Sequence, residues 1–112
     1  SKWKTGMAIS KQFQSNENAW VISPSGYLDL FNLPEVREAF AGTEGKDILF
    51  CCAELRYLDS AVIKLLAEIA AGRKAEGHLF KIRGLKSYIY KIIEMVGLQQ
   101  VFVFENGEEG QA

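Results

Sequence analysis

The feature that most constrains the fold is the segment at residues 47–53, DILFCCA, which is apolar without interruption after Asp47. A strand with one face in water alternates apolar and polar residues, so an unbroken apolar run predicts a strand covered on both faces. Residues 55–70, LRYLDSAVIKLLAEIA, follow it. The first four of them have the character of a strand, and the rest have the pattern of an amphipathic helix. This order of strand and helix predicts a layered α/β domain.

Other strand candidates flank this pair of elements. Residues 19–23, AWVIS, are a clear candidate, and the turn residues Pro24, Ser25 and Gly26 should end that strand. Residues 78–82, HLFKI, and 101–105, VFVFE, have the same apolar and β-branched character. Residues 7–13 are a weaker candidate for a first strand.

Three helices are predicted between the strands. The first, over residues 32–42, should have Asn32 as its N-cap with Glu35 in the capping-box position, and should end at Gly42. The second starts near Ser60 and the third covers residues 86–97. Their predicted buried stripes are Val62, Leu65, Leu66, Ile69 and Ala70 in the second, and Ile89, Ile92, Ile93 and Val96 in the third.

The elements together predict an α/β fold, a mixed β-sheet of four to five strands with parallel crossovers and three or more α-helices. A chain of 112 residues fits one domain. We expect an N-terminal segment at residues 1–18, which holds the weaker first strand, a domain at 19–104 and a frayed acidic tail at 105–112.

Charge and composition exclude several classes of function. The net charge of −1 does not favour nucleic acid, and no apolar run approaches the roughly 20 residues that insertion into a membrane requires. The adjacent Cys51 and Cys52 would point to opposite faces of a strand, so we expect free, buried thiols and a cytoplasmic location. The basic stretch at residues 72–78, GRKAEGH, should be solvated.

The sequence contains few residues in patterns that would support catalysis. The chain has one histidine, His78, no spacing of ligands typical of a metal site and no Gly-rich phosphate loop. Asp59 and Ser60 are neighbours that would diverge, so a triad with His78 is not expected. We therefore expect no enzymatic activity, no cofactor and no metal.

The junction Asp59-Ser60 has two interpretations. Either residue could be the N-cap of the second helix, which contributes about 1 kcal/mol. Alternatively, a serine in the first turn is accessible, and the unpaired N–H groups there would accept a phosphate. Phosphorylation would add about −1.5 to −2 charge and repel a partner docked at this end of the helix.

Three segments in order resemble the STAS domain, the fold of anti-sigma-factor antagonists and of the cytoplasmic tails of sulfate transporters. Residues 25–40, SGYLDLFNLPEVREAF, are similar to the family's G-x-L-D segment and first helix. Residues 55–66, LRYLDSAVIKLL, are similar to its Tyr-x-Asp-Ser-Ser/Ala-Gly-Leu motif, and residues 82–104 to its closing helix and strand. The resemblance implies a STAS-like fold over about residues 19–104.

The resemblance also implies a function. Ser60 matches the serine that a partner kinase phosphorylates, Asp29 matches an acidic position near it, and Asp59 is the aspartate of the motif. In such partner switching the unphosphorylated antagonist binds an anti-sigma factor that is also a serine kinase, phosphorylation breaks the complex, and a PP2C-type phosphatase reverses it. The implied partner-binding residues are Asp29, Asp59, Ser60, Val62, Ile63 and Lys64.

Val62 and Lys64 stand where the family usually has glycine, and a β-branched Val62 would obstruct a kinase that approaches Ser60. Asp29 is surrounded by the apolar residues Tyr27, Leu28, Leu30 and Phe31. We expect most of this apolar group to pack inside, and any exposed members to form an interface. Two other functions remain open: an unphosphorylated accessory subunit of a membrane transport complex, and a domain that binds a nucleotide or another anion.

Overall fold

The computed structural model describes residues 6–105, so the tail predicted at 105–112 lies, apart from Glu105, outside the described residues. The strands are β1 (Met7–Gln14), β2 (Ala19–Leu28), β3 (Asp47–Cys51), β4 (Glu54–Leu58), β5 (Phe80–Arg83) and β6 (Val103–Phe104). The helices are α1 (Leu33–Phe40), α2 (Ser60–Ala75) and α3 (Ser87–Met95), with short 3₁₀ turns at Leu30–Asn32 and Gln99–Val101.

The six strands form one mixed sheet in the order β1-β2-β3-β5-β6, and β4 pairs with β2 beyond the end of β3. The β1–β2 pair is antiparallel, and the other pairs are parallel. The prediction of a mixed α/β sheet with three helices is confirmed. The described sheet has one strand more than the predicted maximum of five, because the residues directly before α2 form a strand of their own, β4.

The prediction that Pro24, Ser25 and Gly26 end the second strand is wrong. Strand β2 continues to Leu28, and its parallel neighbour changes from β3, paired up to Ile22, to β4, paired from Ser25. Pro24 lies where the neighbour changes, so its missing N–H removes no bond to either parallel strand. The register then shifts between Gly26 and Tyr27, as at a β-bulge.

Strand β3 is covered on both faces, as predicted. The side chains of Ile48, Leu49 and Phe50 are all at most 2% exposed, although successive residues of a strand point to opposite faces. Phe50 stacks with Phe40 of α1 and lies beside Phe80 of β5, which joins helix and sheet in the core. Both cysteines are free thiols, with Cys52 buried and Cys51 half-buried.

The helical predictions hold for α2 and fail in detail elsewhere. In α2 the predicted stripe is buried except for the half-buried Ile69. In α3 Val96 lies beyond the helix and is exposed. Asn32 precedes α1 without capping it, because its side chain oxygen accepts the N–H of Asp29 instead, and the predicted box with Glu35 is not formed. Among the described residues, no helix is both long and apolar enough to cross a membrane.

Candidate functional site

The site forms where two parallel strands end together. Leu28, the last residue of β2, pairs with Leu58, the last residue of β4, so the following residues Asp29 and Asp59 lie on neighbouring segments. The N–H of Asp59 donates to the carbonyl of Leu28 at 3.1 Å, which continues the contact past the strands. The structure thus brings together the two aspartates that the sequence singled out, at the point where α2 begins.

Asp59, not Ser60, is the N-cap of α2. Its backbone is extended, with φ −96° and ψ 175°, and its Oδ1 accepts the N–H of Val62 at 3.0 Å. Its second oxygen, Oδ2, accepts the N–H of Leu30 at 2.8 Å. One carboxylate therefore caps the helix and also holds the loop that follows β2. Because it occupies one of the free N–H groups, the first turn of α2 offers less room for an anion than the sequence suggested.

Asp29 has an equivalent role in its own loop. Its Oδ1 accepts the N–H of Phe31 at 2.9 Å, and the side chain of Asn32 accepts the N–H of Asp29 at 3.0 Å. This reciprocal capping box closes the 3₁₀ turn Leu30–Asn32. The turn buries only Asn32, so Leu30 and Phe31 project outward.

Ser60 is the first residue of α2, and its side chain is exposed. The hydroxyl has no hydrogen-bond partner in the part of the chain that the structure describes. The positive end of the helix dipole lies at the same place. The geometry thus offers an accessible hydroxyl in the first turn of an α-helix.

An apolar surface, which we define as Tyr27, Leu30, Phe31 and Tyr57, lies beside Ser60. The first three are 50%, 55% and 71% exposed, and the rings of Tyr27 and Tyr57 are 6.4 Å apart between centroids. The expectation that most of the residues around Asp29 pack inside is wrong, because the capped turn directs Leu30 and Phe31 away from the core. Tyr57 joins this surface because the register of β2 and β4 places it opposite Tyr27, a tertiary contact that the sequence did not indicate.

Two of the predicted partner-binding residues do not reach this surface. Val62 and Ile63 are both 0% exposed and pack in the core, so their side chains offer no contact to a partner. For the same reason, Val62 does not obstruct access to Ser60. Lys64 is exposed and lies four residues after Ser60, which places the two side chains on the same side of α2.

Among the residues that the structure describes, the other polar side chains form no second site of this kind. His78 is half-buried and lies at the end of the sheet opposite Ser60. Its Nδ1 is 3.2 Å from Oδ1 of Asp47. Burial raises the pKa of the Cys51 thiol above its usual value, and the opposing effect of Arg83 is smaller. A raised pKa makes a thiol less reactive at neutral pH. Within residues 6–105, no group of His, Cys, Asp and Glu is arranged to hold a metal ion.

The comparisons with known proteins agree with this architecture. The family model "STAS domain" matches residues 10–110, so the chain belongs to the STAS domain family. Among curated proteins, it is 23% identical over 106 residues to the anti-sigma-B factor antagonist of Bacillus subtilis, covering 93% of this chain and 97% of that relative.

Two solved structures share the fold. A proposed anti-sigma factor antagonist from Thermotoga maritima superposes with a TM-score of 0.72 at 11% identity, covering 86% of this chain and 84% of that chain. A serine-to-glutamate variant of RsbS from Moorella thermoacetica superposes with a TM-score of 0.62 at 22% identity, covering 88% and 84%. The resemblance read from the sequence is confirmed, and the fold is that of the anti-sigma antagonist structures.

Proposed function

We propose that this chain is a cytoplasmic anti-sigma-factor antagonist whose binding is switched by phosphorylation of Ser60. Unphosphorylated, it binds an anti-sigma factor that is also a serine kinase, and so releases a sigma factor for transcription. The observation that carries the proposal is the exposed Ser60 hydroxyl in the first turn of α2, beside an apolar surface. Similarity to the antagonist of Bacillus subtilis supports the choice of partner.

The apolar surface suits a protein partner because exposed aromatic and aliphatic groups gain most from being covered. A phosphate on Ser60 would bring about −1.5 to −2 charge to the edge of that surface. The carboxylates of Asp29 and Asp59 are already there, so the added charge increases a local negative field. A partner that covers Ser60 would have to desolvate this charge, which opposes binding.

Lys64 gives the phosphate one favourable contact. It lies on the same side of α2 as Ser60, and no ion pair engages it among the described residues. A cation four residues after an anion on a helix stabilises both. Lys64 would therefore help the folded domain tolerate the phosphate, while the partner still meets a net negative surface.

In this account the chain is a substrate and a binder, and it is not an enzyme. Ser60 has no base within hydrogen-bonding distance in the described residues, and the one histidine pairs with Asp47. The kinase supplies the chemistry of phosphorylation, and a PP2C-type phosphatase would supply its removal.

The test is incubation with ATP and the cognate kinase, followed by intact mass measurement. We expect one phosphate on the wild-type chain and none on Ser60→Ala. Ser87→Ala is the matched control, because Ser87 is also the first residue of a helix, α3, but is preceded by Lys86 in place of a capping aspartate. Ser87→Ala should be phosphorylated like the wild type.

Two outcomes would contradict the proposal: no phosphate on the wild-type chain, or a phosphate that persists in Ser60→Ala. The first would favour an accessory subunit that binds through the same surface without modification. The nucleotide-binding alternative gains no support from the geometry, since the carboxylate of Asp59 already occupies the N–H of Val62 that a bound anion would use.

A further inference from the structure

Asp59 makes more hydrogen bonds than an N-cap needs. A helix cap requires one acceptor, and Ser, Thr or Asn would serve as well as Asp. Asp59 uses both of its oxygens, one for the N–H of Val62 in α2 and one for the N–H of Leu30 in the neighbouring 3₁₀ turn. Of the residues that cap well, only aspartate offers two acceptor oxygens and no donor.

The second bond joins two elements that carry different parts of the candidate site. Leu30 belongs to the turn that presents Leu30 and Phe31 to solvent, whereas Asp59 directly precedes Ser60. The turn's other capping bonds, between Asp29, Phe31 and Asn32, lie within its own segment. The side chain of Asp59 thus connects the apolar surface to the start of α2 across 29 residues of sequence.

We propose that Asp59 is a positioning residue that holds the Leu30–Phe31 part of the apolar surface in place for the partner, and that phosphorylation of Ser60 weakens this hold. The second half rests on the function proposed above. A phosphate on the adjacent residue places like charge beside the carboxylate of Asp59. The repulsion moves the carboxylate away from the N–H of Leu30 and so loosens the bond between Asp59 and Leu30.

The first test measures amide hydrogen exchange by NMR in the chain alone. Asp59→Ser keeps a side chain that caps Val62, but its single, shorter acceptor cannot also hold Leu30. We expect the Leu30 amide to exchange about fivefold faster, as loss of one hydrogen bond implies. The amides of Val62 and of the core residue Ile48 should be unchanged.

The matched control is Asp29→Ser. It removes the same charge from the same surface, and its hydroxyl can still accept the N–H of Phe31, while the bond between Asp59 and Leu30 is untouched. Exchange at Leu30 should then stay at the wild-type rate. Equal acceleration in both variants, or uniform acceleration that includes Ile48, would show an effect of charge or of global stability and would overturn the positioning role.

The second test uses the chain with phosphoserine incorporated at residue 60 during synthesis, so it needs no kinase. Exchange at Leu30 should again be faster than in the unmodified chain, with Ile48 unchanged. A Leu30 amide as protected as before would overturn the coupling to phosphorylation. If the cognate kinase fails to modify Ser60, the proposed function fails, but these exchange rates still decide whether Asp59 positions the turn.

The third test measures affinity for the anti-sigma factor. Asp59→Ser should weaken binding about fivefold more than Asp29→Ser does, because only the former frees the turn before docking. Equal losses for the two variants would contradict a positioning role in the complex.

Discussion

Arg73 shows at the scale of one residue how a charged side chain can be structural. The stretch at residues 72–78 was expected to be solvated, but Arg73 is only 5% exposed. Its guanidinium donates to the carbonyl of Thr43 at 2.9 Å, to the hydroxyl of Thr43 at 2.7 Å and to the carbonyl of Lys46 at 3.3 Å. The expectation holds for most of the stretch, which is exposed, and is wrong for Arg73, because the charge count of a segment does not show which side chain turns inward.

We predict that Arg73→Ala lowers the free energy of unfolding by about 2–4 kcal/mol, since it removes hydrogen bonds from a charged donor and leaves buried acceptors unpaired. Urea unfolding measures the loss. Lys74→Ala is the control, because Lys74 is the next basic residue and is exposed, so its replacement should change stability by less than about 0.5 kcal/mol. Equal effects of the two substitutions would refute the structural role of Arg73.

The neighbours Asp59 and Ser60 differ in their structural roles. The sequence allowed either residue to cap α2, and the structure assigns the cap to Asp59. Because the aspartate satisfies the helix, the serine hydroxyl is not used for capping and remains exposed. The two interpretations of the junction are therefore compatible, since the cap belongs to Asp59 and the hydroxyl that we propose is phosphorylated belongs to Ser60.

At the scale of an element, Gly26 determines how strand β2 pairs with its neighbours. Its φ is +79°, in the region that favours glycine, and the register of β2 against β4 shifts directly after it. A Cβ on Gly26 would also collide with the backbone carbonyl of Gly6, at the start of β1. The glycine thus permits both the bulge and the close approach of β1.

We predict that Gly26→Ala costs about 2–5 kcal/mol, from backbone strain and steric overlap together. Gly42→Ala separates these contributions, because Gly42 has a φ of +80° and an added Cβ would meet no atom within 4 Å. It should cost about 1–2 kcal/mol, from strain alone. Both are measured by chemical denaturation, and a Gly42→Ala variant at least as unstable as Gly26→Ala would disprove the overlap at Gly26.

Local periodicity was sufficient to predict most of the elements. The unbroken apolar run of β3 and the stripe of α2 depend on residues within one segment, so pattern alone locates them. The extent of β2 depends on a change of neighbour at Pro24, which is a tertiary feature that no local signal shows. Turn-forming residues therefore suggested an end where the strand continues.

The candidate site was predictable in part for the same reason. The exposure of Ser60 follows from its place at the start of a helix, whereas the link from Asp59 to Leu30 joins distant segments and could not be read from spacing. The helical stripe of α2 places Val62 on the buried face, so periodicity alone excludes its side chain from the partner contacts that the family resemblance implies.

At the scale of the whole molecule, stabilising and functional groups lie at different ends. The buried guanidinium of Arg73 belongs to the last turn of α2, and His78 and Asp47 meet where β3 and β5 begin. Ser60 and the apolar surface lie at the opposite end, where β2 and β4 finish. In the function that we propose, a phosphate on Ser60 would therefore change the apolar surface while these distant polar contacts stay intact.

The most direct test of the switch is the dissociation constant for the cognate anti-sigma factor, measured by calorimetry with and without a phosphate on Ser60. A chain phosphorylated at Ser15, an exposed residue of the turn between β1 and β2 at the opposite end of the sheet, is the control for charge elsewhere. We predict about 100-fold weaker binding when Ser60 carries the phosphate, because like charge at a covered surface costs several kcal/mol, and little change when Ser15 carries it. An affinity that is the same with and without the phosphate on Ser60 would contradict the account.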